Sequence, residues 1–103
     1  MILVTRFIPY SALAFYPFIF VKKKEMQDNH LLINHEKIHH RQQLELLIVP
    51  FYFLYFFNYL YHLIKLHNHY QAYKKIIFER EAFAMEHDFD YLKKRRMLAF
   101  IKF

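Results

Sequence analysis

Residues Leu46 to Ile64 read LLIVPFYFLYFFNYLYHLI, nineteen consecutive positions without a formal charge. A run of that length and polarity either crosses a bilayer or packs into the centre of a fold, and the rest of a 103-residue chain has to be arranged around that choice. The run carries Pro50, Asn58, His62 and four tyrosines, more polar atoms than a simple span needs. A second apolar stretch, Phe7 to Val21, holds two prolines and is followed by Lys22, Lys23 and Lys24. A signal peptide has the reverse order, with charge before the apolar core. No cleavable signal is therefore expected, despite the small residues of Ala12-Leu13-Ala14.

The length suits a single domain, residues 1–103. The chain has no glycine, which excludes phosphate loops, the dinucleotide-binding turn and the nucleophile elbow, all of which need backbone angles or close approaches that a Cβ blocks. It has no cysteine, so disulfides, thiolate zinc sites and thiol nucleophiles are excluded too. Chemistry has to come from His, Asp, Glu, Lys, Tyr, Ser or Thr.

Met1 to Phe7 and Phe15 to Lys22 are rich in β-branched and aromatic residues and flank a Pro9-Tyr10-Ser11 turn signal. They predict two strands forming a hairpin, with the prolines confining them to sheet edges. Lys23 to Asn29 is a polar connector in which Asp28 or Asn29 caps a helix. Leu31 to Val49 contains no breaker and predicts that helix. Pro50 suits the first turn of a second helix reaching about Leu66. After Asn68-His69, Tyr70 to His87 predicts a third helix, and Asp88 or Asp90 caps a last one from Tyr91 to about Phe100. The expected class is α+β: a mostly helical single domain behind a short N-terminal β-hairpin or sheet.

The first helix contains His35-Glu36-Lys37-Ile38-His39, an H-E-x-x-H motif. At about 100° per residue the two histidines stand about 40° apart, one turn above the other, so both rings reach one metal ion. Glu36 sits about 100° round, placed to take a proton from water without ligating the metal. With eight His and six Glu in the chain, chance supplies about 0.03 such matches. A third ligand is needed, and the third helix offers Glu79 and Glu81. Glu79 borders the apolar stripe of that helix and is the first choice. Glu81 lies on the side of Lys74 and Asp88, reads as a solvent residue, and is the second. Gln42 shares the histidine face and borders the expected cleft or the helix surface. Glu45 reads as a supporting partner of Arg80, while His40, His62, His67 and His69 read as surface or interfacial residues.

His35-Glu36-x-x-His39, followed by Glu79-Arg80-Glu81-Ala82, resembles the gluzincin metallopeptidases, in which two helical histidines and a glutamate from a later helix bind zinc. The length is similar to that of the minigluzincins, in which a small sheet, an active-site helix and a glutamate helix form nearly the whole protein. The wider pattern, Asn34 to His39 with Gln42 and Glu45-Leu46, then Phe78 to Ala82 and Glu86-x-Asp88, resembles a group of small bacterial proteins. The resemblance implies Zn2+ held by His35, His39 and Glu79, the Glu three positions before Ala82. It implies Glu36 as the catalytic base and acid, and a peptide or protein as substrate. Gluzincins often place an Asp after that Ala; Phe83 stands there here.

A single crossing by residues 46–64 would put His35 and His39 on one side of the bilayer and Glu79 on the other. The metal reading thus excludes the span and makes Leu46 to Leu66 a buried core helix, with an aromatic face available to a membrane surface. Its rival is a small non-catalytic membrane-associated protein in which the motif is incidental. The net charge of +6 and Lys93-Lys94-Arg95-Arg96, read as solvated helix surface, favour anionic headgroups. Nucleic acid is not expected as a partner, because the aromatics stand in apolar blocks and are not interleaved with cations. The location expected is the cytoplasm or the cytoplasmic face of the membrane. The sequence carries no signal for oligomeric state. The apolar segment Met97 to Ile101 is expected to cover the cleft in a resting form.

Overall fold

The computed structural model describes residues 1–8 and 11–103; the Pro9-Tyr10 part of the expected turn lies outside them. Strands β1 (Ile2–Val4), β2 (Ala12–Phe15) and β3 (Phe18–Val21) form one sheet in the order β1-β3-β2. A 3-10 helix, Lys24–Asp28, leads to helices α1 (His30–Leu46), α2 (Ile48–Leu66), α3 (His69–Lys75), α4 (Ile77–Met85) and α5 (Tyr91–Lys94). The chain ends in a 3-10 turn, Ala99–Lys102. The class is α+β, as expected.

The hairpin is placed differently. Ile2 and Val4 pair in parallel with Ile19 and Val21, and the antiparallel partner of β3 is β2, which the sequence reading left out. Pro17 lies between β2 and β3, after a cis peptide bond from Tyr16, and the strand order makes β3 the central strand and not an edge. Val21 and Ile19 turn inward against Ile33 of α1, which seats the sheet on that helix. Asn29 is the α1 cap: its Oδ1 accepts from the Leu32 N–H at 3.2 Å.

Helix α1 stops at Leu46 and not at Val49, because Leu47 takes φ 65°, ψ 150° and the chain bends by 111° into α2. In a chain without glycine, Leu47, His67 and Leu98 hold the positive-φ positions among the described residues. Leu47 is the most strained of these, since its φ and ψ fall where essentially only glycine is comfortable. Its side chain is 69% exposed and has little packing to lose. Leu47→Gly is expected to stabilise the protein by about 1 kcal/mol after the entropy of glycine is subtracted, raising the thermal midpoint by roughly 4–8 °C. Calorimetry of the two proteins reads this directly, and an unchanged or lower midpoint refutes the strain.

Two further boundaries move. The stretch Tyr70 to His87 is two helices, broken at Ile76 (φ −55°, ψ 129°). Ile76 has no side-chain oxygen to cap α4, so Asn58 of α2 supplies one, accepting from the Ile77 N–H at 2.7 Å. The last helix is a single turn, with no cap from the Asp90 side chain. Phe100 leaves it to pack on Phe78 at 4.8 Å between ring centres. Phe100 thus belongs to the core beside Phe51 and Ile76, and Ala99 is buried next to it, while Met97 and Ile101 stand exposed; residues 97–101 do not line either cavity of the site, contrary to the expected cover over the cleft.

The expected core helix from Leu46 to Leu66 packs on one side, with Phe51 in the core and Tyr52, Tyr55 and Tyr59 partly buried against it. Within α2 only Phe51 is buried, and one side of the helix stands in the open. No single helix among the described residues is long and apolar enough to cross a membrane.

Candidate metal centre

Helix α1 buries a polar face. Asn34, His35, Glu36, His39, Gln42 and Gln43 are all nearly solvent-free, and a helix survives that only if each group finds a partner. Asn34 Nδ2 donates to the carbonyls of Glu86 (2.8 Å) and Asp88 (3.2 Å), fixing the end of α4 against the start of α1. Gln43 receives the Tyr16 N–H at 2.8 Å and donates to the Ala14 carbonyl at 2.9 Å, fixing the β2–β3 turn. Tyr52 of α2 donates to the same Ala14 carbonyl. His40, half-buried, meets the Phe18 carbonyl at 2.8 Å. These bonds hold α1, α2, α4 and the sheet in one register around the motif.

His35, His39 and Glu79 converge, with ligand atoms all within 4.8 Å of one another. Both Nε2 atoms lie 2.9 Å from the same oxygen, Glu79 Oε1. The other oxygen, Oε2, accepts from Tyr55 Oη at 2.5 Å. The opposite ring nitrogens are held as well. His35 Nδ1 is 2.9 Å from Glu86 Oε2, and His39 Nδ1 is 2.8 Å from Gln42 Oε1.

These outer partners decide what the inner atoms do. Gln42 donates its amide to the Phe78 carbonyl (3.1 Å) and Glu81 Oε1 (2.9 Å), so its oxygen faces His39 and the proton sits on Nδ1. A carboxylate only accepts, so His35 carries its proton on Nδ1 as well. In neutral rings both Nε2 lone pairs then point at a carboxylate oxygen, and three electron-pair donors face one another. They repel unless protons or a cation lie between them. Protonating both rings would put two imidazolium ions 4.9 Å apart in the interior. One metal ion satisfies all three donors, with the outer-shell hydrogen bonds that metal-binding histidines use. The residues fit a metal.

The electrostatics agree. Burial works against a charged His39, yet the neighbouring Glu79 carboxylate outweighs it and raises the His39 pKa. Burial likewise opposes the Glu79 charge, but the His39 and His35 rings hold its pKa well below the ordinary carboxylate range. Glu36 goes the other way: burial raises its pKa, against the pull of His39 and His35. It borders two cavities, of about 480 and 380 Å³, that meet at Ala12, Glu36, His69 and Tyr73. The larger is walled by aromatics including Phe51, Tyr52 and Phe56.

Of the two glutamates weighed in the sequence, Glu79 joins the histidines and Glu81 does not. Nor is Glu81 a solvent residue: it is fully buried, receiving Arg95 Nε at 2.5 Å, Tyr91 Oη at 2.6 Å and Gln42. Glu45 pairs with Arg95 (2.6 Å) and not with Arg80, so Arg95 is drawn out of its basic run into the interior. Gln42 is buried support for His39 and not cleft border. Glu86 stood in the wider sequence pattern without a role, and Tyr55 escaped the sequence reading. Glu86 lies seven residues after Glu79, two turns along nearly the same face, and that spacing would have found it; Tyr55 has no local signal. His69 is 2.6 Å from Tyr59 Oη and lines both cavities.

No family model, no curated protein and no solved structure matches this chain.

Proposed function

We propose that the protein is a zinc-dependent peptidase of minimal size, similar in its site to the gluzincins. The observation that carries this reading is the convergence of His35 Nε2, His39 Nε2 and Glu79 Oε1, with the buried carboxyl of Glu36 beside them at the meeting of two cavities. Two imidazoles and one carboxylate, leaving a further position open, are a donor set that catalytic zinc takes. When bound, zinc lowers the pKa of a water and polarises a carbonyl.

The chain supplies the rest. The two cavities let a peptide lie across Glu36 with its apolar side chains against Phe51, Tyr52 and Phe56. Glu36 takes the proton of the attacking water and returns it to the leaving amine nitrogen, and its raised pKa brings it nearer working pH for both transfers. His69 and Tyr73, which line both cavities, bring N–H and O–H groups to the carbonyl oxygen. Gln42 and Glu86 hold the rings, and Tyr55 leaves Glu79 only Oε1 to offer the metal. The test is hydrolysis of an unstructured protein such as casein by the zinc-loaded chain, and its loss in Glu36→Gln.

A further inference from the structure

Helix α2 is amphipathic in the inverted sense. Its protein-facing side carries Tyr52, Tyr55, Asn58, Tyr59 and His62, all partly buried, while the outward side carries Val49, Phe53, Leu54, Phe56, Phe57 and Ile64, each 50–70% exposed. At about 100° per residue the outward hydrocarbons cover an arc of about 160° on a helix roughly 28 Å long, with no charge inside it. A helix that water is to cover has its polar residues on that side.

The occupant is indicated by charge. From Leu46 to Phe78 the chain has no carboxylate and three lysines. Lys65 stands at the edge of the apolar arc, its Nζ 3.2 Å from Tyr61 Oη and 5.2 Å over that ring, its stem along the hydrocarbon and its charge at the rim. Lys75 and Arg80 add positive charge near His62, which lies about 60° from Lys65 round the helix: after burial, it is Arg80, Lys65 and Lys75 that depress its pKa. A segment whose formal charges are all positive, with a charge-free apolar arc and Lys65 at its edge, fits an anionic bilayer surface and not a protein partner of ordinary composition.

We infer that the outward face of α2 is a docking surface for anionic phospholipid bilayers, with the helix lying in the plane of the interface and Lys65, Lys75 and Arg80 on the headgroups. Phe56 belongs both to this face and to the wall of the larger cavity, so docking brings that cavity to the membrane surface. The inference stands on α2 and its rim and does not depend on the proposed hydrolysis.

The test is co-sedimentation of the full-length protein with vesicles of phosphatidylcholine alone or mixed with phosphatidylglycerol. The expected result is binding to the anionic vesicles that weakens as salt rises. Phe53→Glu with Phe57→Glu lowers that binding by about a hundredfold, while helix content by circular dichroism stays as in the wild type. Lys65→Glu with Lys75→Glu lowers it by about tenfold. Absence of binding to anionic vesicles, or equal binding by the phenylalanine variant, overturns the inference. A homodimer that the phenylalanine variant dissociates, without vesicle binding, assigns the face to a second copy. Resistance to carbonate extraction assigns it to an embedded helix.

Discussion

Glu36→Gln is expected to lower casein hydrolysis by about 10³-fold while the chain keeps its metal. Glu36 is outside the converging trio of His35, His39 and Glu79, so its charge is not needed to hold the ion. It is nevertheless close to both rings, and it borders both cavities. Glutamine keeps the size of the side chain and one acceptor but cannot take up a proton, and general-base catalysis typically contributes about 10²–10⁴-fold. The measurement is the steady-state rate with metal content determined on the same sample. A variant that keeps its metal and loses turnover separates base from ligand; one that hydrolyses casein at the wild-type rate removes Glu36 from the reaction.

The second large effect is on stability. Arg95→Ala is expected to cost about 3–5 kcal/mol, because it strands two buried carboxylates. Arg95 donates to Glu81 through Nε (2.5 Å) and Nη2 (3.0 Å), and to Glu45 through Nη1 (2.6 Å). The network ties α1, α4 and the C-terminal segment together, and Gln42 joins it to His39. The sign of the pH dependence follows. Burial alone would raise the Glu81 pKa, but Arg95, Tyr91 and Gln42 hold it below the usual value. That stability is present in the wild type above the unfolded pKa of about 4.3 and is lost as pH falls through the depressed folded value. In the variant the stranded carboxylates are costly when charged and are relieved on protonation. The gap between the two proteins therefore narrows as pH falls below the ordinary glutamate range. Denaturant unfolding at neutral and acid pH measures it. A gap under 1 kcal/mol at neutral pH, or one that widens in acid, contradicts the assigned network, and adding Glu81→Gln to the variant recovers part of the loss.

Much of the metal centre was legible because it is local. His35 and His39 fall on one helical face by spacing alone, with Glu36 about 100° round, and Glu79 could be preferred because it borders an apolar stripe. Arg95, in a run of four cations, gave no sign that it is buried, since what buries it are Glu45 and Glu81, distant in sequence. Helix ends were legible where a side chain marks them, as at Asn29 and Asn68, each of which accepts from a backbone N–H three residues on. They were hidden at Leu47 and Ile76, where no side chain marks the break and packing imposes it. Helix α2 was read as core because a span would part His35 and His39 from Glu79, and its apolar residues were expected to face inward. Tyr52, Tyr55, Asn58 and Tyr59 face the protein here, since the groups they serve, the Ala14 carbonyl, Glu79, the Ile77 N–H and His69, lie on that side. The sheet was misjudged because β2 and β3 are joined through Tyr16-Pro17, a shorter turn than the one the Pro9-Tyr10-Ser11 signal suggested.

The central claim is that His35, His39 and Glu79 hold one metal ion. Its most direct measurement is elemental analysis of the purified chain after equilibration with zinc and removal of the unbound metal. One zinc per chain is predicted for the wild type and for Glu36→Gln, and none for His39→Ala or Glu79→Ala. A wild-type chain without zinc, or a Glu79→Ala chain that holds as much as the wild type, contradicts the account.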